Sequence, residues 1–155
     1  MQDRLIQKLK VYIQENNPDL FLTLQKENRL TDYLQESVDS VHSMIHQLSA
    51  IHTAPSVIEE LCMEELTRQL KPSRFNYLKK ILEEDYPSYF EKMEQQGVLT
   101  TELINMITTC DAVLNQFNLS IINEHNPQLR YAVMGELDDY LKVTSGGIAL
   151  EVSSE

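Results

Sequence analysis

Five prolines divide the chain into segments in which apolar residues recur every three or four positions. They are Pro18, Pro55, Pro72, Pro87 and Pro127, and each falls between two such segments or in the first turn of one. Proline lacks the amide hydrogen that a helix interior needs, but the first turn of a helix leaves that hydrogen unused. Glycine occurs only four times, and Gly97 follows "EKMEQQ", where a left-handed C-terminal cap belongs. The pattern predicts a series of helices separated at the prolines.

Six helices are predicted from these segments. They run from Asp3 to Asn16, from Arg29 to Ala50, from near Ser56, from "KPSRF", from Thr100, and from the residues after Pro127. The second carries one continuous apolar stripe, Leu30, Leu34, Val38, Val41, Ile45 and Leu48. The segment "DLFLTL" before it is expected to be a short apolar connection, and Ser56 with Glu59 matches the capping-box pattern at the start of the third helix.

The predicted fold is all-α, a single-domain multihelical bundle of about six helices. A chain of 155 residues is the size of one ordinary domain. We expect the helical domain to cover residues 1–143 and residues 144–155 to form a flexible or weakly strand-forming tail. The tail is rich in serine and glycine, and Ile148, Leu150 and Val152 alternate along it as in a short edge strand.

Charge and cysteine content limit the classes of function. The 13 Lys and Arg stand against 24 Asp and Glu, so the net charge is −11. Direct nucleic-acid binding is disfavoured, because Lys and Arg supply most of the affinity for a phosphate backbone. We expect no membrane span or export signal, and Cys62 and Cys110 each fall inside an apolar helical pattern that suits a reduced core thiol. These features predict a cytoplasmic protein.

One cluster has residue types that can bind metal. Asp39, His42 and His46 follow one another at spacings of three and four in "DSVHSMIHQL", which would place them on one side of a helix. That side lies roughly 120° from the apolar stripe, so it faces solvent rather than a cavity. Ser43 stands where the zinc-protease pattern H-E-x-x-H requires Glu. We interpret the cluster as a solvated surface, with weak metal binding as the alternative, and we predict no metal, cofactor-binding or catalytic residues.

Other polar groups are explained more simply by helix surfaces. Glu59, Glu60, Glu64 and Glu65 are expected on the outer face of the third helix, because no calcium-binding loop accompanies them. Asp138 and Asp139 are sequence neighbours and would point about 100° apart on a helix, which does not suit an acid/base pair. The tyrosines at 33, 77, 89 and 131 are expected to pack in the core, with an interface role as the alternative.

The order of several segments resembles a family of short, all-helical proteins from Bacteroidetes. These segments are "LKVYIQENNPDL", "EELCMEELTRQLKPSRFNYLKKILEEDY", "CDAVLNQFNLS" and "NPQLRYAVMGELDDYLK". The family's serine and Leu-x-x-Ile-Leu pattern is matched by Ser73, Leu78, Ile81 and Leu82, and its last helix in part by Gly135, Tyr140 and Leu141. The resemblance spans residues 9–142 and departs at "VMGE" and before Ser73, where the family has Phe. It implies the all-α fold and a cytoplasmic accessory role, but no activity.

The leading functional hypothesis is a non-enzymatic protein-interaction or regulatory module. No catalytic pattern assembles in the sequence, whereas acidic helical faces and tyrosines do. A homodimer is one form that such a module can take. The first alternative is an enzyme with an unrecognised site, which a deep polar pocket with perturbed ionisable groups would favour. The second is an acidic protein that occupies the nucleic-acid-binding surface of a partner.

Overall fold

The structure is a computed structural model that describes the backbone of residues 1–148 and the side chains of residues 1–143. The regular secondary structure of the described residues is entirely helical and contains no strand, as the sequence predicts. The chain divides into two compact units, Met1–Lys71 and Pro72–Glu155. The sequence shows no boundary at this point, and the single-domain assignment stays a prediction because compactness does not decide whether each unit folds alone.

Unit 1 contains five α-helices and a short 3₁₀ helix. They are α1 (Gln2–Asn16), α2 (Pro18–Lys26), α3 (Leu30–Asp39), α4 (His42–Ala50), α5 (Pro55–Thr67) and the 3₁₀ helix Arg68–Leu70. Helix α1 is central, because it packs on α2, α3 and α5. Its buried residues are one helical turn apart and join two groups of core residues, with Leu5 in one and Leu9 and Ile13 in the other.

Unit 2 is built around a larger core. Its helices are α6 (Arg74–Asp85), α7 (Pro87–Gln95), α8 (Leu99–Thr109), α9 (Asp111–Phe117) and α10 (Pro127–Ile148). One cluster of fourteen buried residues includes Phe75, Met93, Cys110, Leu114 and Leu137. Cys62 in unit 1 and Cys110 in unit 2 are both free and buried, which confirms their expected place in the core.

The prolines mark helix starts more strictly than expected. Helices α2, α5, α7 and α10 each begin at a proline, where its fixed backbone angle and missing amide hydrogen cost nothing. Pro72 stands just before Ser73, whose hydroxyl accepts a hydrogen bond from the Asn76 amide at 2.9 Å and caps α6. The expectation of a connection at "DLFLTL" is therefore wrong, because Pro18 starts a helix there.

Two expected helices are interrupted, so the described residues contain more than the six helices predicted. The stripe from Arg29 to Ala50 breaks into α3 and α4, and the segment after Thr100 breaks at Cys110. In each break a buried residue, Val41 or Cys110, follows a serine or threonine whose hydroxyl bonds back to a carbonyl in the preceding turn. Such back-bonding competes with the helical ladder and bends helices.

Only the first part of the expected tail, residues 144–148, is described by the structure. Helix α10 continues past residue 143 as far as Ile148, the last described residue, so residues 144–148 are helical. The rest of the expected tail, with Leu150 and Val152 of the alternating pattern, lies outside the described residues. Gly97 has a φ of +73°, which confirms the left-handed position expected after α7.

Candidate interaction groove

The three residues of the predicted surface cluster do not share one helix. Asp39 is the last residue of α3, whereas His42 begins α4 and His46 follows one turn later. All three side chains are exposed. The Gln35 amide donates to the Asp39 carboxylate at 2.9 Å, and the Gln2 amide lies 3.0 Å from Nδ1 of His42. Within the described part of the chain, no three His, Cys, Asp or Glu side chains are grouped so that they could hold a metal ion.

A groove runs along α1 where this helix meets α5. It encloses about 410 Å³ and is lined by Gln7, Lys8, Val11, Tyr12, Glu15 and Met63. The five residues from α1 lie on one face of the helix. From the first to the last they span about two turns, a length of roughly 12 Å along the helix axis. Met63 on α5 supplies the opposite wall. The groove is therefore a shallow apolar channel with long polar side chains at its edges.

Val11 and Tyr12 are the distinctive residues of this groove. Val11 is 47% exposed although it belongs to a helix whose other face is fully buried. Tyr12 is half-buried, and burial raises the pKa of its hydroxyl. The Lys71 ammonium lies 5.9 Å from the Tyr12 ring centroid, within the range of a cation–π contact. An exposed aliphatic residue beside an aromatic ring that holds a cation is a surface suited to a second apolar group.

An ion-pair cluster borders the groove at Lys8. The Glu59 carboxylate accepts a bond from Arg4 Nε at 2.9 Å and is paired with the Lys8 ammonium. Glu59 is only 8% exposed, so its expected place on the outer face of a helix is wrong. The expected capping box with Ser56 is also wrong, because the N-cap residue of α5 is Ala54. Helix α5 begins at Pro55, one residue before Ser56, which leaves Glu59 beside buried Ile58 and facing α1. The Lys8 hydrogen bond lowers the pKa of Glu59, with Arg4 adding to the effect.

Unit 2 contains half-buried tyrosines whose hydroxyl groups form polar contacts between helices. The Tyr86 hydroxyl lies 2.7 Å from the Asp138 carboxylate and 3.1 Å from the Met134 carbonyl oxygen. Burial and the bond to Asp138 raise the pKa of Tyr86. Tyr140 makes a similar bond to Glu102. Burial also raises the pKa of the Cys110 thiol to about 12, so this thiol is not a reactive nucleophile.

The four tyrosines that were expected in the core, at positions 33, 77, 89 and 131, have different environments. Tyr33, Tyr77 and Tyr89 are half-buried and pack against the cores of their units. Tyr131 is 69% exposed, so the prediction that it packs in the core is wrong. None of the four lines the groove. The sequence does hold a signal for the groove, because "VYI" places three apolar residues in succession where the α1 stripe needs only Ile13.

Comparisons of this chain with protein-family models, with curated proteins and with solved structures find no match. The resemblance to the Bacteroidetes family accordingly stays a prediction. Among residues 1–148, no helix is both long and apolar enough to cross a membrane.

Proposed function

We propose that this chain is a non-enzymatic, cytoplasmic protein-interaction module whose α1–α5 groove binds the apolar face of an amphipathic helix from a partner protein. The observation that supports this most is Val11, an exposed aliphatic residue that lines the groove together with Tyr12 and Met63. Apolar grooves that bind helices take side chains spaced by three, four and seven positions. The two helical turns spanned by the groove match the reach of such a set.

Charge favours a partner helix with carboxylates beside its apolar face. Lys8 and Glu15 line the groove, Arg4 pairs with the same Glu59 carboxylate as Lys8, and Lys71 lies over the Tyr12 ring. These groups carry three positive charges against two negative ones, so this edge has a small positive excess. The chain as a whole has a net charge of −11. A carboxylate on the partner would therefore be attracted to this edge and repelled by most other surfaces, which gives the groove its selectivity.

The lining of the groove supports binding over catalysis. Its walls are mostly apolar, and its one cation, Lys8, is paired with Glu59. A second cavity of about 340 Å³ near the α2–α3 turn is polar, but Leu24, Gln25, Asn28, Leu30 and Thr31, which line it, include no titratable group. An acid, base or nucleophile with an oriented partner is what an active site would require in either place.

A pair of matched variants tests this function. Val11→Glu puts a charge into the groove, whereas Leu22→Glu puts one at a position on α2 of similar exposure, 44%, outside the groove. Baits made from the parent and both variants are compared in lysate of the source cells, and any protein lost only with Val11→Glu is purified. We expect its dissociation constant, measured by calorimetry, to rise at least about tenfold for Val11→Glu and to change little for Leu22→Glu.

Thermal unfolding of both variants provides the folding control, since both positions are exposed and should tolerate the change. The proposal is wrong if no protein distinguishes the two baits, or if the purified partner binds Val11→Glu as tightly as the parent.

A further inference from the structure

The loop between α9 and α10, residues 118–126, presents two adjacent isoleucines to solvent. Ile121 is 69% exposed and Ile122 is 93% exposed. Scattered single apolar residues are normal on a protein surface. Two adjacent exposed isoleucines in the middle of one loop are a different feature. Polar residues at both positions would leave the core of unit 2 unchanged, so the core does not explain the isoleucines.

Hydrogen bonds within the loop hold its tip, Ile121 and Ile122, in a defined position. The Asn123 side-chain amide donates to the carbonyl oxygens of Phe117, at 2.7 Å, and Asn118, at 3.2 Å. The same side chain accepts a bond from the Ser120 amide at 2.7 Å. Leu119 packs against the core of unit 2 and fixes the base of the loop. An apolar group that is already ordered loses little conformational entropy on binding, which favours affinity.

The charges of the loop indicate the kind of surface it can meet. Glu124 is its one residue with a full charge, and the nearest Arg along the chain, Arg130, is paired with Glu84 and Asp85. A loop that inserts into anionic lipid needs nearby Lys or Arg. The carboxylate of Glu124, two residues after Ile122 in the same loop, instead matches a receptor with basic residues around an apolar pocket.

Shape disfavours pairing of two such loops with each other, and charge disfavours the association of two copies in general. Two convex tips in contact would bury far less than the roughly 1,200 Å² of a stable interface. Two copies of a chain with a net charge of −11 also repel each other. A convex apolar tip is buried efficiently only by a concave site.

We propose that Ile121 and Ile122 form a docking tip that inserts into an apolar pocket of another protein, with Lys or Arg at the pocket rim facing Glu124. This tip belongs to unit 2 and does not depend on the groove of unit 1. A rigid apolar anchor that fills a pocket of the partner is typical of an interface hot spot.

The first experiment replaces Ile122 in the full chain with a photo-crosslinking amino acid, in cells of the source organism. A probe at Val143, which is 81% exposed in the same unit, is the control. We expect one protein to be captured from position 122 and not from position 143. Absence of such a protein overturns the proposal.

The captured protein is then purified and titrated with the parent, with Ile121→Ser/Ile122→Ser and with Val143→Ser. We expect the dissociation constant to rise at least about tenfold for the double variant and less than about twofold for the control. Glu124→Gln should weaken binding and reduce its salt dependence. Melting temperatures of the isoleucine and Val143 variants should stay unchanged, because these three side chains are exposed.

Three results contradict the docking tip. The double variant could bind the captured protein as tightly as the parent. The parent could sediment with vesicles of phosphatidylcholine and phosphatidylserine while the double variant does not, which would assign the tip to a membrane. The parent could self-associate in analytical ultracentrifugation in a way that Ile122→Ser abolishes, which would assign it to a second copy.

Discussion

Glu59 is the residue whose environment differs most from what its type suggests. It is nearly buried, yet both carboxylate oxygens are paired with cations of α1. A buried carboxylate without partners would be strongly destabilising, so Arg4 and Lys8 are what allow it in this position. The signal in the sequence was the spacing of Arg4 and Lys8, four residues apart and one helical turn along the same face.

We expect Glu59→Gln to lower the melting temperature at pH 7, whereas Glu60→Gln, at the exposed neighbouring position, should not. The folded-state pKa of Glu59 lies below its ordinary value of 4.5. The contribution of its charge is therefore complete above pH 4.5 and is lost as the pH falls through the lowered pKa. Thermal melts of the parent and both variants from pH 7 to pH 3 test this. A gap between parent and Glu59→Gln that stays constant over this range would contradict the prediction.

Gly135 and Gly97 provide a matched pair, since an added Cβ would meet nothing within 4 Å at either position. Gly135 lies in the helical stretch of α10, whereas Gly97 has a φ of +73°. We expect Gly135→Ala to raise the free energy of unfolding by about 0.4–1 kcal/mol, because alanine loses less backbone entropy on folding. Gly97→Ala should lower it by about 1–2 kcal/mol, because a side chain disfavours the left-handed region. Urea unfolding measures both, and a loss of stability in Gly135→Ala would show that the position needs glycine.

At the level of helices, the sequence predicts their existence better than their ends. Periodicity identifies α1, α6 and α10, and the prolines mark starts, because both signals act within one turn of the chain. The breaks at Val41 and Cys110 depend on hydroxyl back-bonding, which competes with a ladder that the same apolar stripe also favours. The groove was not predicted, because it forms only where α1 and α5 meet, and periodicity does not determine which helices pack together.

The first turn of α6 gives a test of helix capping. Ser73→Ala should lower the free energy of unfolding by about 1 kcal/mol, because it removes the acceptor of the Asn76 amide. Ser56→Ala should have almost no effect, since Ser56 lies inside α5, whose N-cap residue is Ala54. Chemical denaturation of the two variants compares them directly. Equal losses would mean that the capping box predicted from the sequence does form.

The break between α3 and α4 also leads to an expectation about metal. Asp39 ends α3 and His42 begins α4. Each of these side chains lies within 3.0 Å of a glutamine side chain. Zinc at low micromolar concentration should therefore leave the melting temperature unchanged, because a ligand specific to the native state would raise it. Differential scanning calorimetry with and without zinc tests this. Stoichiometric binding that His42→Ala abolishes would contradict it.

At the scale of the whole molecule, the two units differ in both charge and core. Unit 1 has 7 Lys and Arg against 11 Asp and Glu, a net charge of −4, and unit 2 has 6 against 13, a net charge of −7. Among the described residues, the groove in unit 1 and the Ile121–Ile122 tip in unit 2 stand beside singly exposed apolar side chains such as Ile51 and Val143. A net negative charge on both units, with exposed apolar groups limited to small sites, is consistent with selective rather than general association.

The units should differ in stability when they are expressed separately. Unit 2 buries fourteen apolar residues in one cluster, whereas unit 1 distributes nine over two clusters of five and four. A unit of about 70 residues buries a smaller fraction of its surface than a longer chain and is correspondingly marginal. We therefore expect residues 72–155 to unfold cooperatively and at a higher temperature than residues 1–71, as followed by circular dichroism at 222 nm. A fragment 1–71 that melts above 72–155 would show that the two small clusters, joined through α1, are the more stable core.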